Sequence, residues 1–232
     1  MQFIQKFAAG IALAFLVFNL VACGDEAAER KALIDFLQTR IIAKPGVHFA
    51  VPSDVERKSF GAYAAHYDVI LNFRTDLDAA GASMRGIASL RQPASLQDVI
   101  EMRDTIAKVR GDMEKAITAL PAEIAKAEAA RAALKQPDDL KSVYDQAFAR
   151  VMAPAHAFAD GWPVIDAAFR AILDFDDFVK AHKDAISFRG PQMVVSDPAI
   201  QAQLQAKSAD AAAKGKALAE LQQKLKVLLY GT

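Results

Sequence analysis

The sequence has little of the residue types from which proteins build reactive and metal-binding centres. It contains a single cysteine, Cys23, and four histidines among 232 residues. One cysteine excludes an intramolecular disulfide and the Cys-x-x-Cys-His run that attaches c-type haem. The histidines lie in four separate segments without zinc-binding or di-iron spacing, at His48, His66, His156 and His182. We therefore predict no metal site and no cofactor, since zinc binding would require distant histidines to converge in the fold.

The chain also lacks an excess of charge of either sign. Lys6 is the one charged residue among the first 22, so residues 23–232 hold 27 basic and 28 acidic residues and a net charge of −1. Nucleic-acid-binding proteins usually carry a basic excess on one face. We therefore predict no nucleic-acid partner, and the charge balance gives no support for a polybasic membrane-binding patch.

Motifs of common active sites are missing or incomplete. The glycines at Gly81 and Gly86 have the spacing of a phosphate loop, but Ile87 and Ala88 stand where lysine and serine or threonine are required. No Gly-x-Ser-x-Gly elbow occurs. An acidic cluster near a helix end lacks the glycine and distant glutamate of a calcium loop, which favours a solvated helix face; it comprises Asp174, Asp176 and Asp177. We predict no catalytic residues and a protein that is not an enzyme.

What the sequence does contain is an N-terminal export signal. Phe7–Leu20 is apolar apart from Asn19, a length that suits the core of a signal peptide and is too short to span a bilayer comfortably. The end of this apolar stretch and the three residues after it form Leu20-Val21-Ala22-Cys23, which has the pattern of a lipobox. We predict that residues 1–22 are a lipoprotein signal peptide, that cleavage falls between Ala22 and Cys23, and that Cys23 accepts acyl chains such as palmitate. A plain signal peptide and an N-terminal membrane anchor are the alternatives.

Apolar residues recur at helical spacing along most of residues 26–229, which predicts an all-α fold, an elongated helical bundle with coiled-coil-like helices. Three stripes carry this prediction, and the third falls on the a and d positions of heptads. They comprise Leu33, Ile34, Leu37, Ile41 and Ile42; Phe60, Tyr63, Tyr67, Ile70, Leu77 and Met84; and Val99, Met102, Ile106, Val109, Met113, Ala116 and Leu120. Ser53 with Glu56 forms the capping-box pattern that starts the second helix. The Tyr63–Tyr67 pair and Trp162 suit either a ligand groove or the core, and helical spacing favours the core.

Prolines punctuate the second half of the chain. Pro121 either kinks the third helix or begins a new one. Residues 122–135 have high helix propensity but little apolar surface, so we expect them to project from the bundle or lie at its edge. We expect Pro154 and Gly161 to break the helix that starts near Asp138, and Pro163 to begin another.

A short β-hairpin is predicted near residues 186–195. Ile186–Phe188 and Met193–Val195 have the composition of strands, and Arg189–Gln192 supplies the turn. Asp197 and Pro198 then suit the N-cap and first position of a last helix. A hairpin this small needs helices to pack against.

Four segments of the chain resemble the YiaF-like bacterial lipoproteins, a family of unknown function. They are Arg30–Gln38 just after the lipobox, Leu134–Lys141, Tyr144–Phe148 and Ile186–Phe188. The resemblance covers nearly the whole chain and implies an envelope lipoprotein of Gram-negative bacteria. It brings no catalytic residues, because none are established for the family.

The lipoprotein resemblance also bears on location. It implies that aspartate directly after the lipidated cysteine favours the inner membrane, whereas this chain has Gly24 there and Asp25 one residue later. We therefore expect the protein in the bacterial cell envelope, held by its lipid anchor on the outer membrane and facing the periplasm. Because no internal repeat or Gly/Ser linker divides it, we predict that residues 23–232 form a single helical periplasmic domain.

Three functions fit this pattern. The leading hypothesis is a non-catalytic module that binds or scaffolds another envelope component, since the sequence combines an anchor with a long heptad helix and no reactive cluster. The second is a periplasmic carrier of a small ligand or metal that uses a cavity between helices. The third is a cell-wall enzyme whose residues meet only on folding.

Overall fold

The structure, a computed structural model, describes residues 25–81, 100–189 and 192–232, with the backbone alone at 79–81. The fold is mainly α-helical, as predicted. Helix α1 spans 25–37 and continues as a π-helical turn, Gln38–Ile42. The elements that follow are α2 (Asp54–Ser59), a 3₁₀ turn (Gly61–Tyr63), α3 (Ala64–Gly81), α4 (Arg103–Ala132), α5 (Asp138–Ala181), β1 (Ile186–Arg189), β2 (Gln192–Val195) and α6 (Pro198–Tyr230). No helix in these described ranges is both long and apolar enough to cross a membrane.

The helix starts follow the predicted capping residues. The Ser53 hydroxyl accepts a hydrogen bond from the Glu56 backbone N–H, while the Glu56 carboxylate accepts one from the Ser53 N–H at 2.7 Å. Asp197 accepts from the first N–H groups of α6, and Pro198 occupies its first position. Each cap satisfies backbone donors that the first turn of a helix leaves unpaired.

The β-hairpin is confirmed and lies on helix α5. The antiparallel register pairs Ile186 with Val195 and Arg189 with Gln192, so each strand is one residue longer than predicted. Residues 190 and 191, inside the predicted turn, lie outside the described residues. Ile186 is buried against Phe175, Phe178 and Val179 of α5, which supplies the packing that an isolated hairpin lacks; these four side chains form the hairpin cluster.

The predicted breaks in α5 are wrong. Pro154 and Pro163 both lie inside one helix of 44 residues. A proline removes one helical hydrogen bond and costs about 3 kcal/mol in a helix interior. Buried apolar positions continue on both sides of the prolines, from Val151 and Met152 to Ile165, and packing of this stripe outweighs the local cost.

Helix α4 likewise passes through Pro121, and its buried stripe extends further than predicted. Ile124 and Ala127 are buried, so the expectation that residues 122–135 stay at the edge of the bundle is wrong for that turn. The heptad pattern predicts that Ala116 faces the core, but its neighbour Ile117 is the buried residue. A straight helix drifts by about 20° per heptad relative to a strict 3.5-residue repeat, which moves the buried stripe by one residue.

Contacts divide the chain into two compact units. Unit 1 comprises Met1–Asn72 and Ala127–Val151, and unit 2 comprises Phe73–Lys126 and Met152–Thr232. In the described part of unit 1, Phe36, Phe60 and Tyr67 meet edge to face, with Phe36 centred 5.2 Å from Phe60 and 5.1 Å from Tyr67. Such aromatic pairs stabilise a fold beyond what the burial of their apolar area contributes. The single domain predicted for residues 23–232 stays a prediction.

Candidate functional site

The predicted lipidation and cleavage residues, Cys23 and Ala22, lie outside the described residues, as do positions 82–88 of the incomplete phosphate loop. The chain is already helical at residue 25. Any anchor on Cys23 would therefore be joined to helix α1 through Gly24 alone.

The structure leaves the four histidines in separate surroundings. His48 Nε2 lies 2.8 Å from the Pro45 carbonyl oxygen, and His182 Nδ1 lies 2.9 Å from that of Phe178. His156 is an exposed residue of α5, and His66 belongs to α3. Within the described ranges, no three His, Cys, Asp or Glu side chains are grouped so that they could hold a metal ion.

His66 is at the centre of a hydrogen-bonded network in unit 1. Its Nδ1 lies 3.2 Å from Gln136 Nε2, and its carbonyl oxygen accepts a hydrogen bond from the buried Tyr144 hydroxyl at 2.8 Å. Burial lowers the pKa of the His66 imidazole and raises that of the Tyr144 hydroxyl. Both shifts favour the neutral form of the group at neutral pH. The network joins α3 to α5.

The aromatic pair singled out in the sequence belongs to the core of unit 1. Tyr63 is 6% exposed and Tyr67 is fully buried. The Tyr63 hydroxyl donates to Glu26 at 2.9 Å, and the Tyr67 hydroxyl donates to the Ala50 carbonyl. The core interpretation is confirmed for both.

The acidic cluster of α5 differs from the solvated face that was predicted. Asp174 and Asp177 are exposed, but the Asp176 side chain is only 1% exposed. Asp176 Oδ2 lies 3.0 Å from Arg103 Nε and 2.8 Å from Lys180 Nζ. The solvated-face prediction is wrong for Asp176, because its position on the helix turns it inward beside the hairpin cluster.

Asp176 forms ion pairs but no hydrogen bonds with the side chains around it in the described residues. Among the described residues, no donor reaches either carboxylate oxygen with hydrogen-bond geometry. Arg103 instead directs its N–H groups at Asp177 Oδ1, from 2.8 and 3.0 Å. This hydrogen bonding to Asp177 is the largest cause of the raised Arg103 pKa. The Arg103–Asp176–Asp177–Lys180 cluster thus ties the start of α4 to the end of α5.

The candidate ligand site is an apolar groove in unit 2, formed by α4, α5 and α6, with a volume of about 150 Å³. Gly161 allows α6 to come close: a Cβ atom at that position would lie 3.0 Å from Leu221 Cδ2. Trp162 packs against Val109, Met113 and Ile165 on the same cluster of side chains. The groove is lined by Met113, Phe158, Ile165, Phe169, Leu218, Leu221, Gln222 and Leu225.

Sequence patterns found most of these side chains but not the groove. Met113 belongs to the predicted heptad stripe, and Leu218, Leu221 and Leu225 recur at helical spacing along α6. Of these leucines only Leu225, which is 8% exposed, is buried. Leu218 and Leu221 are half-buried because they line the groove. The spacing of residues along a helix does not predict how deeply each one is buried.

Comparisons with known proteins bear on the family. A family model described as "Protein of unknown function (DUF3053)" matches residues 11–226. The uncharacterized protein YiaF of Escherichia coli (strain K12) is 27% identical over 191 residues, which cover 79% of each chain. The uncharacterized protein YiaF of Shigella flexneri matches to the same extent. No solved structure matches significantly.

These matches confirm the resemblance to the YiaF-like proteins and add no activity. The family model covers most of the chain, including every residue that lines the groove. The chain therefore belongs to the DUF3053 family of proteins of unknown function.

Proposed function

We propose that the protein is a lipid-anchored lipoprotein of the bacterial cell envelope, and that its helical part is a non-catalytic module that binds or scaffolds another envelope component. The observation that carries the proposal is the lipobox, Leu20-Val21-Ala22-Cys23, at the end of an apolar leader and around the only cysteine of the chain. An acyl acceptor needs one nucleophilic sulfur, and the chain has one.

The start of helix α1 supports this arrangement. Helical structure is present from residue 25, so one residue separates Cys23 from a helix that is packed into unit 1 through Leu33, Phe36 and Leu37. A tether of this length would keep unit 1 next to the lipid surface. A scaffold needs such a fixed attachment, whereas a long flexible linker would let the module range through the periplasm.

The anchor is tested by metabolic labelling with an alkyne analogue of palmitate. The full-length protein should become labelled, and Cys23→Ser should abolish both the label and the cleavage that removes residues 1–22. A matched control combines Cys23→Ser with Ser142→Cys, which moves the thiol to an exposed position on α5. If either variant incorporated the analogue as the wild type does, the lipobox would not direct acylation.

The binding role is tested by crosslinking intact cells and purifying the protein from detergent-solubilised envelopes. The proposal predicts one envelope component crosslinked in near-stoichiometric amount, and predicts that its recovery falls with Cys23→Ser because the module is no longer held at the membrane. Recovery of no such component, or equal recovery with Cys23→Ser, would contradict a membrane-fixed scaffold.

A further inference from the structure

The first turns of helix α1 are fastened to the 3₁₀ turn that precedes α3. The Glu29 carboxylate accepts a hydrogen bond from the Ala62 N–H at 3.0 Å, and the Tyr63 hydroxyl donates to Glu26 at 2.9 Å. Both bonds lie at the end of α1 that directly follows the predicted lipidation site. They therefore fix the place at which a lipid anchor would join unit 1.

Gly61 provides the space that the Glu29 carboxylate occupies. The φ angle of Gly61 is 49°, in the left-handed region that favours glycine, and a Cβ atom at this position would overlap the carboxylate. Any other residue at position 61 would therefore have to displace Glu29. We call Glu26, Glu29 and the Gly61–Tyr63 turn the α1 clamp.

The connection between α4 and α5 lies at the same end of unit 1. Arg30 Nε, in the second turn of α1, is 3.2 Å from Asp139 Oδ2 at the start of α5. The Tyr63 ring meets the His66 ring edge to face, with centroids 5.2 Å apart, and His66 Nδ1 lies 3.2 Å from Gln136 Nε2. The start of α1, the 3₁₀ turn and this connection together form one surface, the proximal end.

The opposite end of α1 lies beside α2, where Arg40 Nη2 is 3.9 Å from Glu56 Oε1. At 1.5 Å per residue, residues 25 and 40 are roughly 20 Å apart along the helix. Between them the exposed face of α1 carries an ion pair of Lys31 with Asp35, and both side chains are exposed. A helix that lies flat in the membrane interface needs an apolar face there, so the side of α1 is poorly suited to contact lipid.

We propose that the proximal end of unit 1 faces the phospholipid head groups of the membrane, and that the α1 clamp keeps it there. This inference rests on the proposed lipid anchor at Cys23. Consecutive Cα atoms are 3.8 Å apart, so Gly24 separates the anchored residue from residue 25 by at most about 7 Å. Release of the clamp would let the first turns of α1 unwind and lengthen this tether.

The test places a fluorescent label at each end of α1 and a quencher among the head groups. Lys135→Cys puts a thiol on the proximal end, and Val55→Cys puts one on α2, next to the far end; both positions are exposed. The processed full-length protein is labelled with bimane and reconstituted into vesicles of phosphatidylethanolamine and phosphatidylglycerol that contain a lipid with a nitroxide head group. The anchor occupies the Cys23 thiol, so each variant has one site for the label. We expect residue 135 to lose most of its label fluorescence and residue 55 to keep most of it.

Sedimentation of the vesicles separates this inference from the proposed function. Vesicles that sediment without the protein would overturn the anchor, and the orientation with it. If the protein sediments with the vesicles but the label at residue 55 is quenched as strongly as that at residue 135, the anchor stands and the proposed orientation is wrong.

The clamp is tested by Gly61→Ala in the Lys135→Cys protein. The added Cβ displaces the Glu29 carboxylate, so we expect quenching to fall toward the level seen with Val55→Cys. Gly46→Ala is the matched control, because Gly46 also has a left-handed φ, of 70°, but lies outside the clamp. Glu29→Ala removes the same carboxylate without strain at residue 61, and it should lower quenching even if circular dichroism shows that Gly61→Ala folds poorly. Wild-type quenching in Glu29→Ala would show that the clamp does not hold the proximal end at the membrane.

Discussion

At the scale of single residues, Asp176 has the most demanding environment in the described chain. Burial of a carboxylate costs several kcal/mol, and the cost is offset only where cations and hydrogen-bond donors surround it. Arg103 and Lys180 supply the positive charge, from 3.0 and 2.8 Å. Loss of either cation leaves the other to balance a charge that sits beside Phe175 and Phe178.

We therefore expect Arg103→Met to lower the free energy of unfolding clearly, because the buried Asp176 carboxylate then keeps Lys180 as its one cation among the described residues. The double variant Arg103→Met with Asp176→Leu should recover most of the loss, because it removes the buried charge as well. Urea unfolding followed by circular dichroism measures both. The control is Lys108→Met, which breaks a surface ion pair with Asp112 and should cost much less stability than Arg103→Met. Equal losses for Arg103→Met and Lys108→Met would contradict a buried pair.

The environment of His66 indicates that the free energy of unfolding depends on pH. Burial lowers its pKa in the folded state, so between the folded and unfolded pKa values the unfolded chain binds more protons. Stability from neutral His66 is fully present above the unfolded pKa of about 6.5 and is lost as the pH falls through the folded pKa. Unfolding measured between about pH 5 and pH 8 should show this decline.

The decline should become shallower with His66→Gln, which keeps an acceptor for Gln136 but does not titrate. His48→Gln is the matched control, because His48 is exposed and its Nε2 lies beside a carbonyl oxygen of its own loop. An unchanged pH dependence in His66→Gln would show that other groups cause the acid sensitivity.

At the scale of elements, α5 shows how packing overrides local preference. The sequence contains two prolines and a glycine in the middle of this helix, and each disfavours a continuous helix. The helix persists because it carries buried residues to unit 1 at one end and to the hairpin cluster at the other. Replacing a proline of this helix should therefore raise the free energy of unfolding.

We expect Pro163→Ala to raise the free energy of unfolding by about 1–3 kcal/mol, because it restores a helical hydrogen bond at an exposed position. Pro198→Ala is the control: a proline at the first position of a helix removes no intrahelical bond, so the change there should be under about 1 kcal/mol. Urea unfolding gives both values. A clear loss of stability with Pro163→Ala would show that the helix is bounded at this proline.

The elements that the sequence predicts correctly are those specified by local chemistry. The Ser53–Glu56 capping box, the Asp197 cap and the hairpin strands all depend on residues close together in the chain. The errors arise where distant contacts decide. Asp176 is assigned to solvent by its polarity, yet its burial depends on Arg103 in another helix. The groove depends on the mutual placement of three helices, which periodicity does not contain.

At the scale of the whole molecule, the proposed anchor and the apolar groove belong to different parts of the chain. Cys23 precedes α1, which is part of unit 1, whereas every groove residue belongs to unit 2. Leu218→Phe, which adds bulk inside the groove, should therefore leave acylation of Cys23 intact.

The proposed outer-membrane location depends on the residue that follows the proposed lipidation site. Several acyl chains together hold a protein stably on a bilayer, so acylated Cys23 would remain on the leaflet that receives it. The resemblance to lipoproteins implies that aspartate directly after the cysteine favours the inner membrane, whereas this chain has Gly24 there, and Asp25 is part of α1. We expect the mature protein to sediment with outer-membrane markers on a sucrose gradient, and we expect Gly24→Asp to move it to the inner-membrane fractions. Gly24→Ser is the control for substitution itself and should leave the distribution unchanged. Wild-type protein in the inner-membrane fractions, unaffected by Gly24→Asp, would mean that Asp25 already acts as the retention signal.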